Sequence, residues 1–600
     1  MTALSPSARA QTAAVPHSRP AARWVQAQAP DPLLVSTLET ELRLPEPLCR
    51  LLCQRGYAAV EPAKRYLRPR LDQLHDPFLL MDMDRAVERL VRAIRSRELI
   101  MVHGDYDVDG MCSTTLLLRA IIDFGGRAVP FIPRRIEDGY DLSMAGVNAA
   151  TAAGVSVLVT CDCGTNALSA AAAAQASGID VIISDHHLPS GPLPTCLAVI
   201  NPKRPGCAYP DKDLAAVGLA FKIALALARA LGESEEPVYR MLDLVALATI
   251  ADIAPLRGEN RIMARYGLRQ LADSESPGLR ALIRAAGLQD KQITAGRVGF
   301  ILAPRLNAVG RLGHALRGVE LLMTESDHDA NAIARELEEL NRRRQELDRD
   351  TLIAASRLVD DLDLESTYGI VIAGQGWHPG VIGIVASRLV EQVCRPVVLV
   401  ALDGEEGKGS GRSIPGFDLH GALTECRDLL VRYGGHRAAA GVTISAARVA
   451  DFAARFNQVA LARLTAADLV PEVRIDLDIA LSDATPDLEA LLRHFEPFGA
   501  GNVTPVLAVR GARLCAPPRV LRNGHLKIRF GADGAELDGI GWGMGALASR
   551  LSTTTPVDVA FRLERNEWNG ETSLQAKLAD VRPSAGGAET ANEPSAARAL

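Results

Sequence analysis

Four short apolar runs, rich in β-branched residues, punctuate the first half of the chain: LIMVHGDYD at 99–107, VSVLVTCD at 155–162, VIISDHH at 181–187 and LAVINP at 197–202. Their apolar residues run together rather than alternate, which is the pattern of strands buried on both faces of a parallel sheet. Helix-like stretches at 112–124 and 166–177 lie between them. The alternation over 76–265 predicts a doubly wound α/β domain, extending to 326. Residues 327–358 read as one long charged amphipathic helix, opened by an Asp-rich cap and free of Gly and Pro. Such a helix can join two domains. A second α/β unit is expected over 359–466, with strands GIVIAG and PVVLV around the helix VIGIVASRLVEQV. Short alternating stretches over 467–582 predict a small antiparallel barrel. Residues 31–75 read as a helical segment. The Ala/Pro/Ser-rich ends, 1–30 and 583–600, read as disordered tails.

Composition narrows the class only a little. Six hundred residues with 48% hydrophobic and 23% charged content fit a soluble protein of several domains. Uninterrupted apolar runs never reach about 18 residues, so no membrane span is expected. The N-terminal basic residues lack a following apolar stretch, so export is not expected either and a cytoplasmic location is. Ten Cys, without any CxxC pair, suit a reducing compartment. The net charge of −6 argues mildly against nucleic-acid binding, though it leaves room for a local basic channel.

The chemistry gathers at strand ends, where an open α/β sheet binds its ligands. Asp105, Asp107 and Asp109 stand in HGDYDVDG, Asp162 in TCDCGT, Asp185, His186 and His187 in SDHH, and Asp252 in ATIADIAP. Taken singly, each is ordinary turn or cap chemistry. DYDVDG also matches the opening of a calcium-binding EF-hand loop, but the twelfth position is Leu116 instead of a bidentate Glu, and a strand leads in. Taken together, converging carboxylates repel and are driven to protonate unless cations neutralise them. Four Asp with imidazole suit two divalent ions, Mn²⁺ or Mg²⁺. Two such ions can activate water and stabilise both attacking and leaving oxygens on phosphorus. GKGSG at 407–411 does not complete a Walker A pattern, so ATP hydrolysis is not expected.

HGDYDVDG, TCDCGT, SDHH and TIADIAP, in this order and at these intervals, resemble motifs I to IV of the DHH phosphoesterases. Among these the chain is most similar to the RecJ exonucleases, over roughly residues 36–582. The resemblance implies that Asp162 bridges two metals, with Asp107 on one and Asp109, His186 and Asp252 on the other. It implies that His187 meets the scissile phosphate as electrophile or general acid. His103 is a further possible ligand, and Asp105 and Asp185 are expected to orient the ligands. The second unit resembles the DHH-associated domain through GWHPGVIGIVASRL, KGSGRSIPGFDL and GGHRAAAG. There a glycine-rich turn would bring backbone amides to a phosphate, with Ser410, Arg412 and His436 as donors and His378 touching a base. Arg135, Arg305, Asn307 and Arg311 match positions that line the substrate channel. The barrel resembles the RecJ OB-fold, introduced by FEPFGAGNVTP, where Ala500 and Val503 replace the usual Glu and Pro; Asp141 likewise stands where Gly is usual.

The implied activity is 5′→3′ hydrolysis of single-stranded DNA to mononucleotides, in repair and recombination. The implied enzyme is a monomer with single-strand-binding protein and a helicase as partners. Two rivals remain at this point: a DHH enzyme of small phosphodiesters or pyrophosphate, and an inactive DHH scaffold that only binds DNA.

Overall fold

The apolar runs of the first half pair side by side into one parallel sheet. In the computed structural model, which describes residues 21–584 except 136, 523, 569 and 570, they become β1 (Leu99–Gly104), β3 (Val157–Cys161), β4 (Asp180–Ser184) and β5 (Ala198–Ile200). A strand not expected from the sequence, β2 (Arg127–Phe131), completes the order β2-β1-β3-β4-β5. Its Arg127 and Pro130 hide it from an apolar-run reading, and an edge is where a strand tolerates proline.

Alternate residues of the central strands enter two different cores. Ile100, Val102, Val157, Val159 and Ile182 join the helices Met83–Arg95, Val108–Asp123 and Ala216–Leu231. Met101, Leu158, Val181 and Ile183 join the alanine-rich helices Met144–Ala152 and Leu168–Ala176 on the other face. Both faces are covered, which is why the strands read as continuous apolar runs. The chain leaves β1 first toward β2 and then returns to β3 on its other side. The β1/β3 boundary is therefore the topological switch point, where strand ends diverge and leave a crevice.

Two compact units divide the chain: 29–346 with 490–504, and the remainder. In the first, the helices Pro32–Leu42, Glu46–Gln54 and Val60–Leu67 precede the sheet as expected. Residues 490–504, which lie in the segment expected to form the barrel, pack with this unit. Buried Asn502 donates to the Phe495 and Pro497 carbonyls and accepts from Tyr66 Oη at 2.8 Å and from Arg55. Backbone contacts tie the same segment down, Leu256 N–H to the Ala500 carbonyl and Arg257 to the Gly501 carbonyl. The Ala500 contact is made by main chain and Val503 is exposed, so neither residue's departure from the family pattern disturbs the docking.

The long helix runs from Asp327 to Asp360. In the second unit, β6 (Ile370–Gln375), β7 (Val397–Asp403), β8 (Glu406–Arg412), β9 (Arg432–Gly435) and β10 (Ala439–Ser445) form a mixed sheet in the order β9-β10-β8-β7-β6. The barrel closes through β11 (Leu507–Leu514), β14 (Val557–Trp568), β15 (Glu571–Pro583), β13 (Ala535–Gly541) and β12 (Leu526–Ala532), which returns to β11. It is not purely antiparallel, since β13 and β15 run parallel. The expected N-terminal tail contains a strand, Arg23–Gln26, paired with Glu472–Ile475. Trp24 fixes it, donating to Asp580 at 2.7 Å, with the guanidinium groups of Arg510 and Arg582 over its ring. Residues 1–20 and 585–600 of the expected tails lie outside the described residues. Among the described residues, no helix is long and apolar enough to cross a membrane.

Candidate metal centre

Every acidic motif but one reaches the switch point from a strand end. Asp105 and Asp107 leave β1, Asp162 leaves β3, and Asp185, His186 and His187 leave β4. Asp252 does not follow a strand. It caps the C-terminus of the helix Leu242–Ala251, whose residues are almost all buried. An apolar run buried all round does not reveal its period, so strand and helix read alike.

Local structure aims each side chain. Asp107 is the N-cap of Val108–Asp123 and accepts from the amides of Asp109 and Gly110 at 2.9 and 3.1 Å. Gly110 lets this helix press on the loop, because a Cβ there would lie 2.4 Å from the Asp105 backbone. Both oxygens of Asp109 accept from the first amides of the helix Ala216–Leu231, Ala216 and Val217, at 2.8 Å. Asp162 adopts φ 67, a left-handed conformation uncommon outside glycine and one that Asp tolerates better than most.

Three sets of ligand atoms each gather within 4.8 Å: Asp105, Asp107 and Asp162; Asp109, His186 and Asp252; and Asp162, His186 and His187. Asp162 and His186 thus each belong to two sets. His186 Nε2 stands 3.1 Å from Asp162 Oδ1 and 3.8 Å from Asp252 Oδ2. Neither His186 Nε2 nor Asp162 Oδ1 has a hydrogen-bond partner, and both are buried. Burial, with the nearby charge of His187, holds His186 down to about 3, so its imidazole is neutral and its other nitrogen bonds the Leu214 backbone. With Asp162 ionised, two lone pairs would face each other; without a cation, a proton on Asp162, whose pKa is raised, must separate them. A cation between them resolves that conflict, so the donor set fits hard-to-borderline divalent ions.

The carboxylates carry the same imprint. Burial first, then the charge of Asp107, pushes Asp109 up to about 7; burial and the charges of Asp109 and Asp107 push Asp252 up to about 8. Asp105 and Asp162 are raised well above the usual range for the same two reasons. Asp185 moves the other way. Burial opposes its charge, but His187 at 2.7 Å and the Thr165 amide at 2.9 Å hold it below the usual range. For His187 burial is again outweighed, by the hydrogen bond and charge of Asp185, and its pKa rises to about 9. His187 is therefore a cationic donor beside the cluster.

The other expected site residues divide. His103 belongs to none of these sets; it is buried, stacked on Phe131, with its Nδ1 3.6 Å from Cys163 Sγ. Arg135 lies over the Tyr106 ring at 4.7 Å, and Tyr140 in turn reaches His187 through its hydroxyl at 3.2 Å. Arg311 lends positive charge to Tyr106, and Gly310 on the same helix packs directly on the Tyr106 carbonyl; Asn307 lies half-buried on that helix, Ala303–Leu312. Arg305 is committed elsewhere, with Glu338 at 2.5 Å and the Ile301 carbonyl at 2.6 Å.

In the second unit the glycine-rich stretch is not a turn but the interior strand β8, paired on both sides. A Cβ at Gly407 or Gly409 would meet Val400 or Val442 at 2.6 or 2.4 Å, so these glycines serve packing. Ser410 and Arg412 point to the opposite face, joined to each other at 3.0 Å against Gly383. His378 Nδ1 accepts from the Gly380 amide, and His436 is exposed in the bend between β9 and β10.

Sequence reasoning overlooked Tyr140 and Asn201. Asn201 ends β5 and donates to Thr165 Oγ1 and the His187 carbonyl at 2.9 and 2.8 Å. Its place in LAVINP, at a strand end like the acidic motifs, is the signal that could have found it.

Residues 99–249 match the DHH family N-terminal domain, 366–462 the DHHA1 domain and 475–580 the RecJ OB domain. Over 93% of its length the chain is 38% identical to the single-stranded-DNA-specific exonuclease RecJ of Bacillus subtilis, covering 70% of that protein. The chain belongs to the RecJ family. The RecJ of Escherichia coli is 34% identical over 91% of this chain and 97% of its own. The crystal structure of Thermus thermophilus RecJ in complex with Mn²⁺ superposes with a TM-score of 0.81 at 34% identity, covering 94% of this chain and 80% of that one. A complex of the same RecJ with Mg²⁺ gives 0.76 at 33% identity, covering 94% and 79%. This RecJ-family chain thus combines DHH and DHHA1 domains, a long helix and an OB barrel.

Proposed function

We propose that this chain is a single-stranded-DNA-specific exonuclease that works from the 5′ end, releases mononucleotides and uses two divalent ions, Mn²⁺ or Mg²⁺. The observation that carries the reading is the buried, unbonded pair of His186 Nε2 and Asp162 Oδ1, 3.1 Å apart within a cluster of raised carboxylates. The names of the relatives, and the Mn²⁺ and Mg²⁺ complexes among the similar structures, support the substrate class and the ions.

Asp107 and Asp105 would hold one ion, Asp109, His186 and Asp252 the other, and Asp162 would touch both. When bound, such ions lower the pKa of water and neutralise charge developing on the phosphoryl oxygens. The protein's own contribution is positional and electrostatic. Asp185 orients His187 and keeps it charged, so that its proton can meet a non-bridging or leaving oxygen. Tyr140 restrains the same imidazole from the far side. Arg135 and Arg311 supply positive charge near Tyr106, suited to a phosphate backbone. The barrel would hold the incoming strand by backbone charge and base stacking. Recruitment by single-strand-binding protein and a helicase, in the cytoplasm and in DNA repair and recombination, belongs to the same proposal and rests on the family alone.

The reading is tested with oligonucleotides labelled at either end, single-stranded or as blunt duplex, in Mn²⁺ and in EDTA. Early release of a mononucleotide from the 5′ label of the single strand alone, and only with metal, is the expected result. Hydrolysis of dinucleotides with long strands untouched would replace the substrate while keeping the chemistry. Binding of DNA without any hydrolysis would favour the inactive scaffold.

A further inference from the structure

The loop after β3 must hold Asp162 in a left-handed conformation against the repulsion of its neighbours. Two consecutive amides of that loop are captured by carboxylates from other parts of the chain. The Thr165 amide goes to Asp185 Oδ2 at 2.9 Å, and the Gly164 amide goes to Asp141 Oδ1 at 2.6 Å. Asp141 is itself left-handed, with φ 83, and the same Oδ1 accepts from the Leu142 amide at 2.9 Å. The Leu142 bond is local turn chemistry that any Asp in a loop can make. The Gly164 bond is different, for it spans 23 residues and lands two positions after Asp162. The residue before Asp141 is Tyr140, whose hydroxyl touches His187. A strained backbone position persists only where its surroundings over-determine it; here Tyr140 on one side reaches His187, and the carboxylate at the bend holds the loop that carries Asp162.

We infer that Asp141 is a positioning residue for the metal centre: its carboxylate oxygen clamps the Gly164 amide and so fixes the loop that aims Asp162. The inference rests on the metal-centre reading above. It predicts that what matters is an acceptor oxygen at this point, not the charge. Asparagine tolerates the left-handed conformation and keeps that oxygen, whereas glycine relaxes the backbone and removes it.

The experiment measures Mn²⁺ binding by calorimetry, apo-protein melting, and kcat and KM on single-stranded DNA for wild type, Asp141→Gly and Asp141→Asn. Asp141→Gly should bind Mn²⁺ about 10-fold more weakly or worse, the scale expected when a group orienting a ligand is lost, and lose kcat more than KM. Its apo melting temperature should equal or exceed wild type, and Asp141→Asn should stay within about 3-fold of wild-type affinity. Wild-type Mn²⁺ binding in Asp141→Gly would overturn the clamp. So would equal impairment of both variants, which would implicate charge, or a fall in apo melting that tracks the lost affinity. A wild type that binds no Mn²⁺ would instead sink the metal-centre reading itself.

Discussion

His186 Nε2 and Asp162 Oδ1 face each other at 3.1 Å, buried and without a hydrogen bond between them. Without a cation the pair is tolerable only while Asp162 holds a proton, and burial with the charge of Asp107 raises its pKa well above the usual range. Asp162→Asn places an amide donor opposite the imidazole lone pair. The expected outcome is a metal-free protein stabilised by about 1–2 kcal/mol, with a melting temperature about 2–6 °C higher. Added Mn²⁺ should stabilise wild type and not the variant. Scanning calorimetry with and without EDTA checks both.

The same cluster sets a pH dependence. Asp109, Asp252 and His187 all have folded-state values above their unfolded ones, at about 7, 8 and 9. Each binds more protons folded than unfolded, so its contribution is present below the unfolded pKa and is lost as pH rises through the folded one. Metal-free protein should therefore lose stability between pH 7 and 9. His103 and His186, held down to about 4 and 3, titrate below this window and do not offset the loss. Mn²⁺ binding must release the carboxylate protons, so stabilisation by metal should grow over the same interval. Melting curves in EDTA and in Mn²⁺ at pH 7, 8 and 9 test the sign; a flat EDTA series would contradict it.

Arg305 was expected beside the substrate, but Glu338 and the Ile301 carbonyl occupy its guanidinium. Arg305→Met and Glu338→Gln should each lower stability, by roughly 1 kcal/mol for a partly exposed pair, and together by little more than either alone. KM for single-stranded DNA should change less than 2-fold in Glu338→Gln. Arg135→Met, by contrast, should raise KM by about 10-fold, the weight of one charge-assisted phosphate contact. Steady-state kinetics with a double-mutant melting cycle separate the two roles.

Asn502 is 3% exposed and uses its amide at both ends, donating to two carbonyls and accepting from Tyr66 and Arg55. Asn502→Ala would leave several buried groups unpaired. A loss of about 2–4 kcal/mol is expected. Single-strand binding at 20 °C should be unaffected, because the segment 490–504 acts as a clasp on the first unit. Denaturant melts and fluorescence anisotropy measure the two effects.

Much of this centre was legible from the chain because strand ends in a parallel sheet are marked twice, by an apolar run and by the polar residue that breaks it. Asp105, Asp107, Asp162 and the Asp185–His187 triplet all carry that mark. Asp252 carries only half of it, since a buried helix yields the same apolar run, and only packing decides which element delivers the carboxylate. β2 was lost behind Arg127 and Pro130, which an edge position permits. KGSGR reads as a turn because glycine favours turns; its place in the middle of a sheet follows from Val400 and Val442, neighbours that lie far from it in sequence or on another strand. Arg305 shows the same limit for charge: nothing local in the sequence announces its partners, Glu338 and the Ile301 carbonyl.

The most direct test of the centre measures Mn²⁺-dependent release of 5′-labelled mononucleotide from single-stranded DNA by wild type and by Asp162→Asn, with the fold of each verified by circular dichroism. A wild type that is active with Mn²⁺ and silent in EDTA, beside a folded Asp162→Asn slowed by about 10²-fold or more, is the predicted result. Equal rates in the two proteins, or release that survives EDTA, would contradict a phosphodiesterase centre built around Asp162.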